Sequence, residues 1–357
     1  MRKSIVILFL ALCFCLGGSA LAESWTQIKQ PVDKPEGWQQ IVADSPFALG
    51  AVRQVTTEDG LTYAQTDFGT YPSLDGSTVA VPMAMEFARQ HLGLGEADLT
   101  GFVAFSTTHN AYVNLITGAP NGSPMLVTRG SILDDAHPVD LIIATEPSDE
   151  ELALAEEHGV TLDVRPVCYD AFVFITHVDN PVKSLSVEQI RAIYSGEIAD
   201  WSEVGGTAGW IAAYQRNKNS GSQTAMENLV MQGMPMSSQG TNIYSTSDMS
   251  GLIAAISEYD NGPSAIGYTY KYYIDALYQD DSIKILAIDG IYPTDENLRS
   301  GAYPFTTSYN AVIRAGDEEQ AGGRFLTWML TEEGQRCIQQ AGYIPVMPLS
   351  GEEGGGQ

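Results

Sequence analysis

Short apolar runs alternate along this chain with stretches of helical periodicity, and that alternation limits the folds open to it. "VDLIIAT" (139–145), "DAFVFIT" (170–176) and "SAIGYTY" (264–270) read as buried strands. "SVEQIRAIYSGE" (186–197) sets Ser186 and Gln189 at capping-box spacing, puts Ile190, Ile193 and Tyr194 on one face and stops at Gly196. "TEEGQRCIQQAGYIPV" (331–346) starts at a capping Thr331 and ends at Gly342, with Pro345 beyond. The pattern predicts an α/β protein with a largely parallel sheet and crossover helices.

Neither end of the chain reads as part of that fold. Arg2 and Lys3 precede the apolar run "IVILFLALCFCLGG", and Ala20 and Ala22 stand at the spacing a signal peptidase accepts. Residues 1–22 are therefore expected to be a cleaved secretory signal, and the run is too short for a transmembrane anchor. Cys13 and Cys15 invite a lipid attachment, but Leu12 and Phe14 precede them where a small residue is wanted. Residues 23–69 are polar, aromatic and turn-rich without a strong period, an extension with no assigned task. Residues 349–357, ending "GEEGGGQ", are expected to be a disordered tail.

Composition excludes some partners. Lys and Arg total 18 against 44 Asp and Glu, a formal net charge of −26. Nucleic acid and anionic membranes are not natural partners of such a surface. Nor does bulk charge draw in a small anion, so an anion site must work by local dipoles. Beyond the signal two cysteines remain, Cys168 and Cys337. An exported protein permits one disulfide between them; the simpler reading is two separate buried thiols, since "PVCYDAFVFI" is an apolar strand.

One arginine nonetheless stands just ahead of a helix start. "YQRNKNSGSQTAMENLV" (214–230) runs from strand through loop to helix, with Arg216 four residues before Ser220-Gly221-Ser222. A helix N-terminus offers unpaired N–H donors and partial positive charge, and glycine lets a ligand approach the backbone. Arg216 adds a fork of donors matched to phosphate-like oxygens. Alone, this reads equally as a capped helix with a surface arginine. "YPSLDGSTVAVPMAMEFARQHLG" (71–93) repeats the arrangement, with Gly76-Ser77-Thr78 at a helix mouth, Pro82 in its first turn, and Ala84, Phe87, Ala88 and His91 as its packing stripe. Thr145 and Glu146 close a strand, where ligands sit in doubly wound sheets; Glu146 also reads as a solvated loop acid. Asp75 and Asp170 are reserve candidates for a carboxylate acceptor.

Enzyme signatures are weak. The chain has no G-x-S-x-G elbow, H-E-x-x-H pair or Walker loop, and its five histidines, His91, His109, His137, His158 and His177, are scattered. No cofactor or metal site is expected, and binding is favoured over catalysis.

With these segments in view, the sequence resembles the phosphate-type substrate-binding proteins of ABC importers, within the periplasmic-binding-protein superfamily, type II, over residues 70–348. "DGST" (75–78), "NPVKSLSVEQIRAIYSGEIADWSEVGG" (180–206), "YQRNKNSGSQTAMENLV", "AIGY" (265–268) and "GQRCIQQAGYIPV" (334–346) carry the likeness. The resemblance implies a two-lobed fold with crossing hinge strands: 70–166 plus 290–348 as lobe one and 167–289 as lobe two. It also implies ligand contacts from Ser77, Thr78, Thr145, Glu146, Arg216, Ser220, Gly221 and Ser222. Ser222 stands where the family more often has Thr. Glu146 stands where some members have Asp and others Arg, which leaves the anion open. The function implied is capture of inorganic phosphate or a related oxyanion for a membrane permease, by a monomer at the periplasm or outer cell face. The alternatives are an exported sensor or surface-interaction protein without transport, and an exported phosphate-ester hydrolase.

Overall fold

The computed structural model describes residues 45–350, apart from 57–61, 96–98, 100–101, 122–126, 129–130, 134–136, 219, 238–242, 247–251, 254–255, 258–261 and 278–279. The signal expected at 1–22, the start of the extension and 351–357 lie outside the described residues.

One strand organises the molecule. Leu162–His177 is 16 residues long, and from Val167 onward all but Tyr169 are buried. Its first part pairs antiparallel with Thr306–Arg314, and its second part pairs antiparallel with Ala265–Tyr270 and Ile283–Ile285. The same strand thus joins the two halves of one nine-stranded sheet. On one side Thr306–Arg314 passes to Leu141–Ala144, which runs parallel to Leu74–Gly76. On the other, Ala265–Tyr270 runs parallel to Ala212–Arg216, and that strand parallel to Ile243–Thr246. The result is a two-lobed α/β fold whose crossing strands form the hinge. The sheet is mixed rather than largely parallel. A strand that leaves one lobe and a strand that returns beside it must run in opposite directions, and Leu162–His177 and Thr306–Arg314 do so.

The helices form where local chemistry starts and stops them. Val187–Ser195 has a complete capping box from Ser186 and Gln189 and ends on left-handed Gly196. Glu332–Gln340 begins at Thr331, whose side chain accepts from Gly334 N. Val81–Leu92 is buried along nearly its whole length, with Ala84, Phe87 and Ala88 fully enclosed and His91 3% exposed.

The extension is joined to the fold rather than appended to it. Val52–Thr56 and Thr62–Thr66 form a hairpin that continues onto Ser131–Leu133 and Val127–Thr128. Phe47 packs edge-on against Phe325 and His91, at ring separations of 4.8 and 5.1 Å, and Ser45 Oγ lies 2.7 Å from His91 Nδ1. The apolar partners of Phe47 are distant in sequence, so no local period announces this packing. Residues 349 and 350, expected to open a disordered tail, are instead tied to the fold: Leu349 is buried, and Ser350 Oγ bonds Glu332. Cys168 and Cys337 are both buried free thiols.

Candidate functional site

Three strand ends of the molecule lead into helix mouths that face one cleft. The first is Leu74–Gly76. Ser77 N donates to Ile143 O at 2.9 Å, which sets Ser77 level with the end of the neighbouring strand. Gly76 is required here, because a Cβ would stand 2.2 Å from that same carbonyl oxygen. Thr78–Ala80 then forms a 3-10 turn leading into Val81–Leu92. Ser77 and Thr78 are half-buried at this mouth.

Asp75 fastens a second mouth to the first. Its Oδ1 accepts from Gly76 N at 2.8 Å and Ser106 N at 2.7 Å. Its Oδ2 accepts from Ser106 Oγ at 2.6 Å and Asn114 Nδ2 at 3.0 Å. Burial pushes this carboxyl up, and the four donors offset only part of that rise. The four bonds make Asp75 a structural tie, not the free acceptor held in reserve. It positions Thr107 and Thr108 at the start of the helix Thr108–Thr117. Thr107 adopts φ 83°, a strained conformation for a β-branched residue, of the kind found at ligand sites.

The strand Leu141–Ala144 delivers Thr145, 4% exposed, whose carbonyl accepts from Tyr112 OH at 2.7 Å. From the other lobe, Ala212–Arg216 leads through a loop to Gly221–Ala225. Gln223 closes that loop: its Oε1 accepts from Arg216 N at 3.2 Å, and Ser220 Oγ caps Gln223 N at 3.2 Å. Arg216 is half-buried, and Ser222 is buried.

The two lobes meet at Gly221. A Cβ on it would stand 2.8 Å from Thr145 Oγ1 and 3.2 Å from Thr108 Oγ1. Tyr270 OH donates to Gly221 O at 3.1 Å. Thr145 Oγ1 itself is enclosed; the Tyr270 hydroxyl stands next to it, but the pair falls short of a well-formed hydrogen bond. A buried hydroxyl so placed calls for a ligand, because leaving it unpaired costs about 1–3 kcal/mol. Across the rim Lys218 Nζ sits 3.2 Å from Glu150 Oε2, an exposed pair of small energetic weight.

The structure brings Thr145 and Gly221 together, with Ser220 and Ser222 flanking. Ser77 and Thr78 lie at the adjacent strand end. Glu146 is exposed, and its Oε1 accepts from Asn310 Nδ2 at 3.2 Å. Asp170 belongs to another region, described below. Thr108 was missed. "FSTTHN" (105–110) lacks a glycine, and only its run of three hydroxyls before the apolar stripe Ala111, Tyr112 and Leu115 would have signalled the mouth.

Two lobes joined by crossing strands, with hydroxyl-lined helix mouths meeting between them, define the class: a two-lobed binding-protein fold. Residues 121–333, more than half of the chain, match the family model described as the PBP superfamily domain, and the chain belongs to that superfamily. Among its relatives is the phosphate-binding protein PstS of Bacillus subtilis, 29% identical over 172 residues, covering 48% of this chain and 53% of that one. The phosphate-binding protein PstS of Borreliella burgdorferi is 25% identical over 192 residues, covering 50% of this chain and 64% of that one. The matches thus span between half and two thirds of these relatives' own lengths. In fold the chain is similar to a Clostridium perfringens protein described as a phosphate ABC transporter substrate-binding protein, solved with bound phosphate. That likeness has a TM-score of 0.56 and 24% identity, covering 78% of this chain and all of the other.

Proposed function

We propose that this chain captures phosphate, or a closely related oxyanion, between its lobes and delivers it to the membrane permease of an ABC importer. The observation that carries the reading is the meeting of Gly221 with Thr145 and Thr108 around a buried hydroxyl that lacks a well-formed hydrogen bond. Hydroxyl donors, helix-mouth N–H groups and the Arg216 guanidinium suit a small oxyanion stripped of water. The relatives named phosphate-binding proteins support phosphate as that anion. The contact set is Ser77, Thr78, Thr145, Arg216, Ser220, Gly221 and Ser222 from the sequence, with Thr108 added.

Glu146 keeps the role of acceptor for the proton that phosphate carries near neutral pH and sulfate lacks. Being exposed, it discriminates less than a dry carboxylate would, since water screens its repulsion of sulfate. Export fits the leader pattern of residues 1–22, and a binding role fits the weak enzyme signatures. No helix of the described residues is long and apolar enough to cross a membrane. A thermal-shift screen over phosphate, sulfate, arsenate and molybdate tests the reading. The preferred ligand at about a hundredfold over its Kd adds about 2.7 kcal/mol of stability. A flat response to all four contradicts it.

A further inference from the structure

Behind the hinge lies a second cavity, of about 440 Å³, that shares no residue with the anion cleft. Its walls come from the helix Val81–Leu92, from residues 339–345 and from the segment 271–277 that follows the strand Ala265–Tyr270. Tyr272 and Tyr343 stack face to face in this wall, ring centroids 3.8 Å apart and planes within 12°. The pair forms an aromatic part of the wall.

The wall carries four acids, Glu86, Asp170, Asp275 and Asp295, against three cations, Arg89, Lys271 and Arg299. Glu86 bonds Arg89, and Lys271 bonds Asp275. Asp170 has no such ion pair among the described residues. It lines the cavity, is 3% exposed, and its Oδ1 accepts from Ala171 N at 2.7 Å and Tyr272 N at 3.2 Å. Its Oδ2 is buried with no hydrogen-bond partner among the described residues. Burial pushes the carboxyl up to about 7, with the backbone donors and nearby Lys271 offsetting only part of that rise. A buried carboxylate with a vacant acceptor oxygen beside an aromatic wall is uncommon in a settled interior.

We infer that this cavity is a second ligand site, specific for a small organic ammonium ion whose N–H bonds Asp170 Oδ2 and whose apolar body packs on Tyr272 and Tyr343. The cation supplies the direct hydrogen-bonded ion pair that Asp170 Oδ2 lacks among the described residues. An alcohol of the same shape brings the hydrogen bond without the charge. The inference does not depend on the anion proposed for the cleft.

Ligand-observed NMR titration with phenethylammonium tests it, with phenylethanol as the neutral counterpart and inorganic phosphate as the competitor. The ammonium is expected to bind at least about tenfold tighter than the alcohol, the gain of a charge-assisted bond over a neutral one. Saturating phosphate leaves it bound. Asp170→Asn, which keeps an oxygen for the Ala171 and Tyr272 donors, removes that preference, and Ala276→Trp fills the cavity and abolishes binding of both. Cooperative thermal unfolding verifies that each variant folds; should one not fold, the other decides. Equal binding of alcohol and ammonium, one-for-one displacement by phosphate, a preference unchanged in Asp170→Asn, or no binding up to about 10 mM ammonium, well beyond weak-site affinity, each overturns the inference.

Discussion

Arg216 stands where the Ala212–Arg216 strand ends, and its backbone N–H is shared between Gln223 Oε1 and Tyr268 OH. Replacing the side chain therefore leaves the loop tied. Arg216→Ala is expected to weaken phosphate binding by about 1.5–3 kcal/mol, the value of a charge-assisted hydrogen bond, with little change in ligand-free stability. Titration calorimetry and a melt of the free protein check both halves, and an unaltered affinity removes Arg216 from the site. Asp170 makes a separate prediction. Its carboxyl titrates at 3.8 unperturbed and is pushed up to about 7 in the folded chain. Between those values the folded state holds a proton that the unfolded state has released. Its contribution to stability therefore falls as pH rises through that window and levels off above it. Asp170→Asn removes this slope, so the variant gains on the parent by up to about 1.4 kcal/mol per pH unit across the window. His91 runs the other way: burial lowers it from 6.5 to about 4, so its contribution is lost as pH falls through that interval. Both proteins keep His91, so it drops out of the difference. Denaturant unfolding at several pH values measures it, and a difference independent of pH contradicts the assignment.

Between elements, a tie at the cleft is Asp75, which joins the strand Leu74–Gly76 to the mouth and second turn of Thr108–Thr117 through three of its four bonds, the fourth being to Gly76 N in its own strand. Asp75→Ala leaves the buried N–H of Gly76 and the half-buried N–H of Ser106 without acceptors. A loss of about 2–5 kcal/mol is expected in denaturant unfolding, and a midpoint within error of the parent would show that the tie carries nothing. The sequence could not reveal that tie. It displayed elements whose signals are local: the capping boxes, the glycine stops, the apolar strands, and the hydroxyl-glycine mouths at Gly76 and Gly221. It concealed what depends on distant partners. Asp75 looked like a spare acceptor because its donors sit some thirty to forty residues away, at Ser106 and Asn114. Thr108 was passed over because its mouth has no glycine. The hairpin Val52–Thr56 and Thr62–Thr66 had no visible task because its sheet partners lie at 127–133. The antiparallel course of the crossing strands likewise leaves no mark on either strand alone.

In the molecule as a whole, the proposed function has two lobes closing on one anion, with Gly221 in contact across the cleft. Small-angle scattering is expected to show a smaller radius of gyration with phosphate saturating than without it, in the manner of hinge closure. Gly221→Ala would press a methyl to within 2.8 Å of Thr145 Oγ1, so the variant is expected to close less fully and to show a smaller change; an identical contraction would mean that the lobes do not meet there. The central claim is narrower than closure: the cleft selects phosphate. Titration calorimetry of the unmodified protein with phosphate and with sulfate, at one pH near neutrality and one ionic strength, tests it most directly. The account predicts one phosphate per chain and a preference over sulfate of about a hundredfold or more, equivalent to about 2.7 kcal/mol. Sulfate binding as tightly as phosphate, or tighter, would contradict it.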